Sequence, residues 1–258
     1  MDLKINFILR SLVIVTLITS IWYAIFYIHP SPLLPPPHDV VYALIDLVLH
    51  YNLLGQLLLS LYRVLLGFSI GIVLGLGIGL IVLLSRIVRD IVYPIIAFIT
   101  VTPSFAFVPL LMLWIGLNDL LPITVVAICT GFPLAYTLIS GSKNIDPNII
   151  DVALTLGASR RTLVFKIILP LTLTHIASML KLEAGHSWRL VFVTEYLAIS
   201  SGLGYLMMRA YSTIRVDEII ALIIVLGVLA LALQYLVEKI ETKITSKWGY
   251  TKTTYTIQ

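Results

Sequence analysis

Charge is scarce in this 258-residue chain, with only 12% of residues charged against 59% hydrophobic and a mean hydropathy of +1.04. A water-soluble domain has no means of hiding that much apolar surface. Cysteine is rarer still: Cys129 stands alone within an apolar run, which leaves no disulfide framework and no redox pair. The chain also lacks a Gly-x-x-x-x-Gly-Lys-Ser/Thr loop, so the usual phosphate cradle for ATP is missing. There is no internal repeat, no low-complexity tract and no soluble domain, and the longest polar stretch between apolar runs is 142–161.

What the chain does have is apolar blocks long enough to cross a bilayer core, which takes about 20 helical residues. Lipid offers no water to an open backbone, so helices are expected throughout. Six spans are expected at 7–28, 57–84, 91–116, 120–141, 163–199 and 219–240. The fifth is too long for one straight crossing and should hold a spanning helix with an extra turn or two. The first follows Lys4 and Arg10 as a secretory signal would. Its run is longer than a signal's core, has no Ala-x-Ala-like site, and ends in Trp22, Tyr23, Phe26 and Tyr27, so it is read as an uncleaved span with an interfacial aromatic cluster. The Pro-rich stretch 31–37 cannot stay helical and reads as an external loop, with a short surface helix over 40–50.

Basic residues are retained on the cytoplasmic side. With the N-terminus inside, twelve of the 17 fall there: Lys4, Arg10, Arg86, Arg89, Lys143, Arg160, Arg161, Lys166, Lys239, Lys243, Lys247 and Lys252. Arg209 and Arg215 fall outside, and Arg63, Lys181 and Arg189 lie within spans. A multi-pass protein of the cell membrane with both termini cytoplasmic is expected. The net charge of +4 is then a sorting signal and gives no reason to invoke nucleic acid.

The polar stretch is the most specific part of the sequence. Asp146 or Asn148 can cap a short helix that Gly157 stops. Its apolar face (Ile149, Ile150, Ala153, Leu154 and Leu156) calls for something to dock against, whether a partner or the membrane surface. Asp151, Val152 and Ala153, followed at fixed spacing by Gly157, Ile167, Leu169 and Pro170, resemble the Glu-Ala-Ala, three residues, Gly, nine residues, Ile-x-Leu-Pro loop of ABC importer permeases. Asp for Glu and Val for Ala are its departures from that pattern. Further stretches resemble the nitrate/sulfonate/taurine permeases: 60–68 with Ser60, Arg63 and Gly67; Thr102 and Pro103; 109–116 with Trp114; Phe132 and Pro133; and Glu195 with 200–206.

The resemblance implies an all-α membrane protein with the type I importer permease fold and a cytoplasmic coupling helix at about 148–161. Residues 1–56 would form the first span, external loop and surface helix, and 57–258 the permease core of five spans. Docking on the ATPase would involve Asp151, Ala153, Leu154, Gly157 and Ala158, with Pro170 setting the angle at which the fifth span leaves the loop. It further implies two copies of an ATP-binding subunit, a second permease copy, an extracytoplasmic solute-binding protein, and a small anion as cargo. ATP and Mg would sit on the partner ATPase, with no cofactor bound by this chain. Residues 200–206 would form an external re-entrant or gate element, where Gly202 and Gly204 permit tight turns.

The path itself is less legible. Pro94, Pro103, Pro109, Pro122 and Pro133 should kink or break the third and fourth spans, freeing carbonyls that only a protein-lined or water-lined site tolerates. Pro103, Trp114, Phe132 and Pro133 are therefore candidate path or gate residues. Arg63, Lys181, Glu183, His186, Arg189 and Glu195 are the ionisable groups within spans. Groups of this kind either pair internally to fix helix register or meet solute, and Arg63, Glu183, Arg189 and Glu195 are retained as path candidates. Gly67, Gly71, Gly75 and Gly79 recur every fourth residue and predict close helix packing or a sliding seam.

Three rival readings need weighing. Gly67-Phe68-Ser69-Ile70-Gly71 fits Gly-x-Ser-x-Gly, but a serine hydrolase needs that motif on an elbow or beside a positioned His. Glu183 and His186 have the spacing of a carboxylate–histidine metal pair, which needs a second such helix that the sequence lacks. A secondary transporter or channel working alone fits six spans with internal charges, yet leaves the coupling segment without a purpose.

Overall fold

Apolar runs that must satisfy their own backbone in lipid become helices, and helices are the only regular elements among the described residues. The structure is a computed structural model that describes the backbone of residues 2–246 and the side chains of residues 13–239. Of the basic residues counted for orientation, Lys4, Arg10, Lys243, Lys247 and Lys252 lie outside the described side chains. The chain runs α1 (Asp2–Ile28), α2 (Pro37–His50), α3 (Leu53–Leu84), α4 (Arg86–Val101), α5 (Phe107–Ile115), α6 (Leu120–Lys143), α7 (Pro147–Thr155), α8 (Arg160–Leu163), α9 (Leu169–Ala198), α10 (Leu203–Ser212) and α11 (Val216–Ser246).

Among the described residues, four helical runs are long and apolar enough to cross a membrane: Leu53–Leu84, Leu120–Lys143, Arg160–Ala198 and Val216–Lys239. The expected third span is not one straight helix, as its prolines predict. A 99° bend separates Arg86–Val101 from Ser104–Ile115, so the pair is a broken span or a re-entrant loop. Pro103 sits at the break, where it has no N–H to continue the helix and biases Thr102 towards extended backbone (φ −72°, ψ 134°). Pro94, by contrast, is accommodated inside α4. In the first span, side chains are described from Val13 on, and α1 itself runs over 27 residues, Asp2–Ile28, long enough for a crossing at 1.5 Å per residue.

The fifth span is continuous over Arg160–Ala198 but passes through a π turn at Val164–Ile168, where Leu169 N–H donates to the Val164 carbonyl. Pro170 explains the widened turn: it cannot donate to the Lys166 carbonyl, and its ring would crowd that group in a regular helix. The helix expected on the surface at 40–50 starts earlier, at Pro37. It buries Val40, Ala43 and Leu47 while packing against α11.

The best-packed seam is α3 against α6, which run parallel. A Cβ on Gly67 would stand 2.8 Å from the Ile123 carbonyl, one on Gly71 2.8 Å from Thr130 Cβ, and one on Gly79 2.8 Å from Leu138. Gly75 lies so close to Gly131 that a Cβ would reach its carbonyl at 2.5 Å. Bare backbone is thus what brings the two helices together, while Gly77, off this face, meets nothing. Helix α9 runs antiparallel to α6, with Thr172 beside Gly141 and Glu195 beside the N-terminal half of α3. This leaves α7 at one end of the bundle and α10 with the 199–202 turn at the other.

Candidate coupling surface and buried charge network

Local rules account for α7. The Asp146 carboxylate accepts from the Asn148 N–H at 2.9 Å, and Pro147 fills the first helical position, where its missing N–H costs nothing. At the other end Ala158 N–H reaches the Ala153 carbonyl and Gly157 N–H the Leu154 carbonyl, both at 2.9 Å. Those two bonds form a Schellman stop, with Gly157 in the left-handed region at φ +82°. Ser159 then caps α8, and Arg160 Nε donates to the Leu83 carbonyl at 3.2 Å, tying the loop to the end of α3.

No residue of α7 is buried. Ile149, Val152, Leu154 and Leu156 are exposed, Leu156 at 83%, beside a shallow cavity lined by Asn148, Asp151, Val152, Thr155 and Leu156. Asp151 and Gly157 are exposed as well, with Ala153 and Ala158 partly covered. A well-capped helix that spends none of its apolar side chains on its own core presents them to something else. Val152, which the apolar face read from periodicity did not include, is exposed alongside Ile149 and Leu156.

At the opposite end, four sequence candidates converge. Arg63 is 1% exposed, and its Nη1 donates to Glu195 Oε1 at 2.6 Å and to the Ser201 carbonyl at 3.0 Å. Its Nη2 donates to Ser201 Oγ at 2.6 Å, and Nε and Nη2 both reach Asp119 Oδ1. Glu195, also 1% exposed, accepts in addition from Ser60 Oγ at 2.8 Å and from the Gly204 N–H at 3.0 Å. Ser60 Oγ in turn accepts from the Leu203 N–H at 2.9 Å, and Gln56 Oε1 from the Gly202 N–H at 2.6 Å. Every polar group of the 201–204 turn used here is thereby held by α3 or α9.

Both glycines are required by space. Gly202 has φ +96° and ψ 177°, and a Cβ there would overlap the Glu195 carboxylate. A Cβ on Gly204 would fall 2.6 Å from both Glu195 Cβ and the Tyr196 nitrogen. The turn leads into α10, which spans about 15 Å at 1.5 Å per residue, too short to cross a bilayer. It buries Leu203, Leu206, Met207 and Ala210 and packs on α9, α11 and α3, so the chain turns back into the bundle.

The other path candidates stand apart from this network. Pro103 marks the α4–α5 break, Trp114 is exposed on α5, and Phe132 packs in a cluster with Val82, Ile96, Ala135 and Ile139. Pro133 lies inside α6. Glu183 is engaged by His186 Nδ1 at 3.3 Å, and Arg189 is exposed on α9. Sequence reasoning missed Gln56 and Asp119 and held Ser201 only as one residue of the 200–206 stretch; these three complete the network. Asp119 was discoverable as an acidic residue at the very start of a span, at the end where Arg63 needs a counter-charge.

Of the enzymatic readings, the Ser69 motif lies inside α3 with its hydroxyl donating to the Leu65 carbonyl at 2.7 Å, on neither a turn nor an elbow. Among the described residues, no three of His, Cys, Asp and Glu stand together as metal ligands.

Comparison with known proteins agrees with this geometry. The family described as the binding-protein-dependent transport system inner membrane component matches residues 67–246. The chain is 35% identical over 197 residues to the putative aliphatic sulfonates transport permease protein SsuC of Escherichia coli, covering 76% of this chain and 75% of the relative. It is 28% identical over 237 residues to the taurine transport system permease protein TauC of the same organism, covering 89% and 86%. Among solved structures, a bacterial alginate ABC transporter in complex with an alginate pentasaccharide-bound periplasmic protein superposes with TM-score 0.63 at 17% identity, over 95% of this chain and 97% of that one. The chain therefore belongs to the family of binding-protein-dependent transport system inner membrane components, the permease subunits of ABC importers.

Proposed function

We propose that this permease imports a small organic or inorganic anion of the sulfonate, taurine or nitrate class, delivered by an extracytoplasmic binding protein, and that α7 is its point of contact with the ATPase. The observation that carries the coupling assignment is the exposed apolar face of α7, held between a side-chain cap and a Schellman stop. The similarity to sulfonate and taurine permeases supports the cargo class.

In this reading two copies of the chain form the path, and each seats its α7 in one of two ATP-binding subunits. ATP-driven closure of the ATPase pair draws the two α7 helices together and rocks the spans from inward-open to outward-open, and hydrolysis resets them. Asp151, Ala153, Leu154, Gly157 and Ala158 make the contact, while the π turn at Pro170 transmits it into α9. Both termini are cytoplasmic, which puts α7 on the same side as the ATPase.

The test is uptake of radiolabelled ethanesulfonate, taurine and nitrate into proteoliposomes holding the whole complex and its binding protein. ATP-dependent accumulation of at least one of them supports the reading. Accumulation that needs neither ATP nor binding protein contradicts it.

A further inference from the structure

The outward faces of the spanning helices differ in chemistry. On α11 the exposed residues include Ile223, Ile224, Val228 and Leu231, and on α3 they include Leu58, Leu65, Val73 and Ile81, as lipid requires. On α9 the exposed or half-exposed face runs through Ser178, Leu182, Gly185, His186 and Arg189, residues spaced three and four apart on one side of the helix. Among the cations set away from the span ends, Arg63 is paired with Asp119 and Glu195, and Lys181 with Glu238 at 2.8 Å. Arg189 has no acidic partner among the described residues. An unpaired guanidinium against hydrocarbon is costly, so this face belongs to water and solute.

Arg189 also lines a cavity of about 300 Å³ between α9 and α11, with Trp188, Phe192, Val193, Leu226, Gly227 and Ala230. One charged donor among apolar and aromatic walls is the make-up of a site for a small amphiphilic anion. Trp188, buried beside it, keeps its indole N–H without an acceptor among the described residues.

We infer that Arg189 is the residue by which the path recognises its cargo: it holds the anionic group, of sulfonate or carboxylate type, while the apolar remainder lies against Phe192 and Leu226. Arg63 and Glu195, already satisfied by each other, have a structural part instead. The assignment rests on the importer reading above. A guanidinium presents paired donors that an ammonium lacks, but the ammonium keeps the charge, so the two substitutions R189Q and R189K separate charge from shape.

The experiment measures ethanesulfonate, taurine and nitrate uptake by the native complex and by complexes carrying R189Q or R189K, each purified with its ATP-binding subunit and supplied with the binding protein and ATP. Uptake of the anion that the native complex imports should fall at least about tenfold in R189Q and stay within about threefold of native in R189K, both assembling normally. Equal uptake by R189Q and the native complex overturns the Arg189 assignment alone. Failure of both variants to assemble overturns it too, since the side chain is then part of the fold. A native complex that imports none of the three anions contradicts the anion reading itself.

Discussion

Arg63 on α3 and Glu195 on α9 meet at 2.6 Å although 132 residues separate them, and both are almost completely buried. The pair does more than join two helices. Through Ser60, Ser201, Gly202 and Gly204 it fixes the turn by which the chain doubles back into α10. Breaking a buried ion pair by removing one partner costs about 3–5 kcal/mol, because the survivor is left charged and dry. Arg63→Met should therefore lower the thermal midpoint of the purified permease in detergent sharply. Glu195→Gln, which keeps an acceptor for Ser60 and Gly204, should cost less. Equal and small losses would mean that solvent already reaches the pair.

Gly202 tests the same turn by space. A side chain there meets the Glu195 carboxylate and must adopt a backbone conformation that costs a non-glycine residue about 1–3 kcal/mol. Gly202→Ala should destabilise by at least that much. Normal folding yield and an unchanged melting midpoint would contradict the close fit of Gly202 against Glu195.

The glycine seam gives an internal control. Gly71→Ala and Gly75→Ala should each cost about 1–3 kcal/mol by overpacking against Thr130 and Gly131, whereas Gly77→Ala, with open space at its Cβ, should be neutral or slightly stabilising. The measurement is thermal unfolding of the three variants side by side. A larger loss for Gly77 than for Gly75 would contradict the α3–α6 packing.

Much of this was legible in the sequence, and the reasons differ from element to element. The four-residue spacing of Gly67 to Gly79 and the cap-and-stop grammar of Asp146 and Gly157 are local signals, and the helices obey them. The 99° break was less so: Pro94 and Pro103 look alike in sequence, yet α4 absorbs the first and ends just before the second. The π turn before Pro170 is likewise a compromise between a proline and a helix that must continue. Arg63 was visible as a costly charge, but Asp119 lies 56 residues away and Ser201 lies 138 away, so only the fold reveals the partners.

Orientation can be read by labelling. Cys129 is buried, so a membrane-impermeant maleimide should leave the native chain nearly unlabelled. In sealed cells Thr213→Cys, at the α10 end, should label at once, and Thr155→Cys, on α7, only after permeabilisation. The reverse pattern would invert the topology and place α7 out of an ATPase's reach.

Gly157 separates the structure of α7 from its use. A Cβ there has open space, but the left-handed φ strains any side chain, so Gly157→Asp, Asp tolerating that region better than most residues, should cost the fold about 1–2 kcal/mol. A new charge on the proposed docking face should nonetheless lower solute-stimulated ATP hydrolysis severalfold. Full stimulation in a folded Gly157→Asp complex would count against docking through α7.

The most direct test of the account is to purify the tagged chain from its native membrane in mild detergent and to weigh what comes with it by mass spectrometry, for the native chain and for a Val152→Asp, Leu156→Asp double variant. The account predicts a nucleotide-binding ATPase at about one copy per permease with the native chain, and its loss from the variant while the permease stays folded. A native chain that purifies folded but alone, or a variant that retains the ATPase in full, would contradict the claim that α7 couples this permease to ATP.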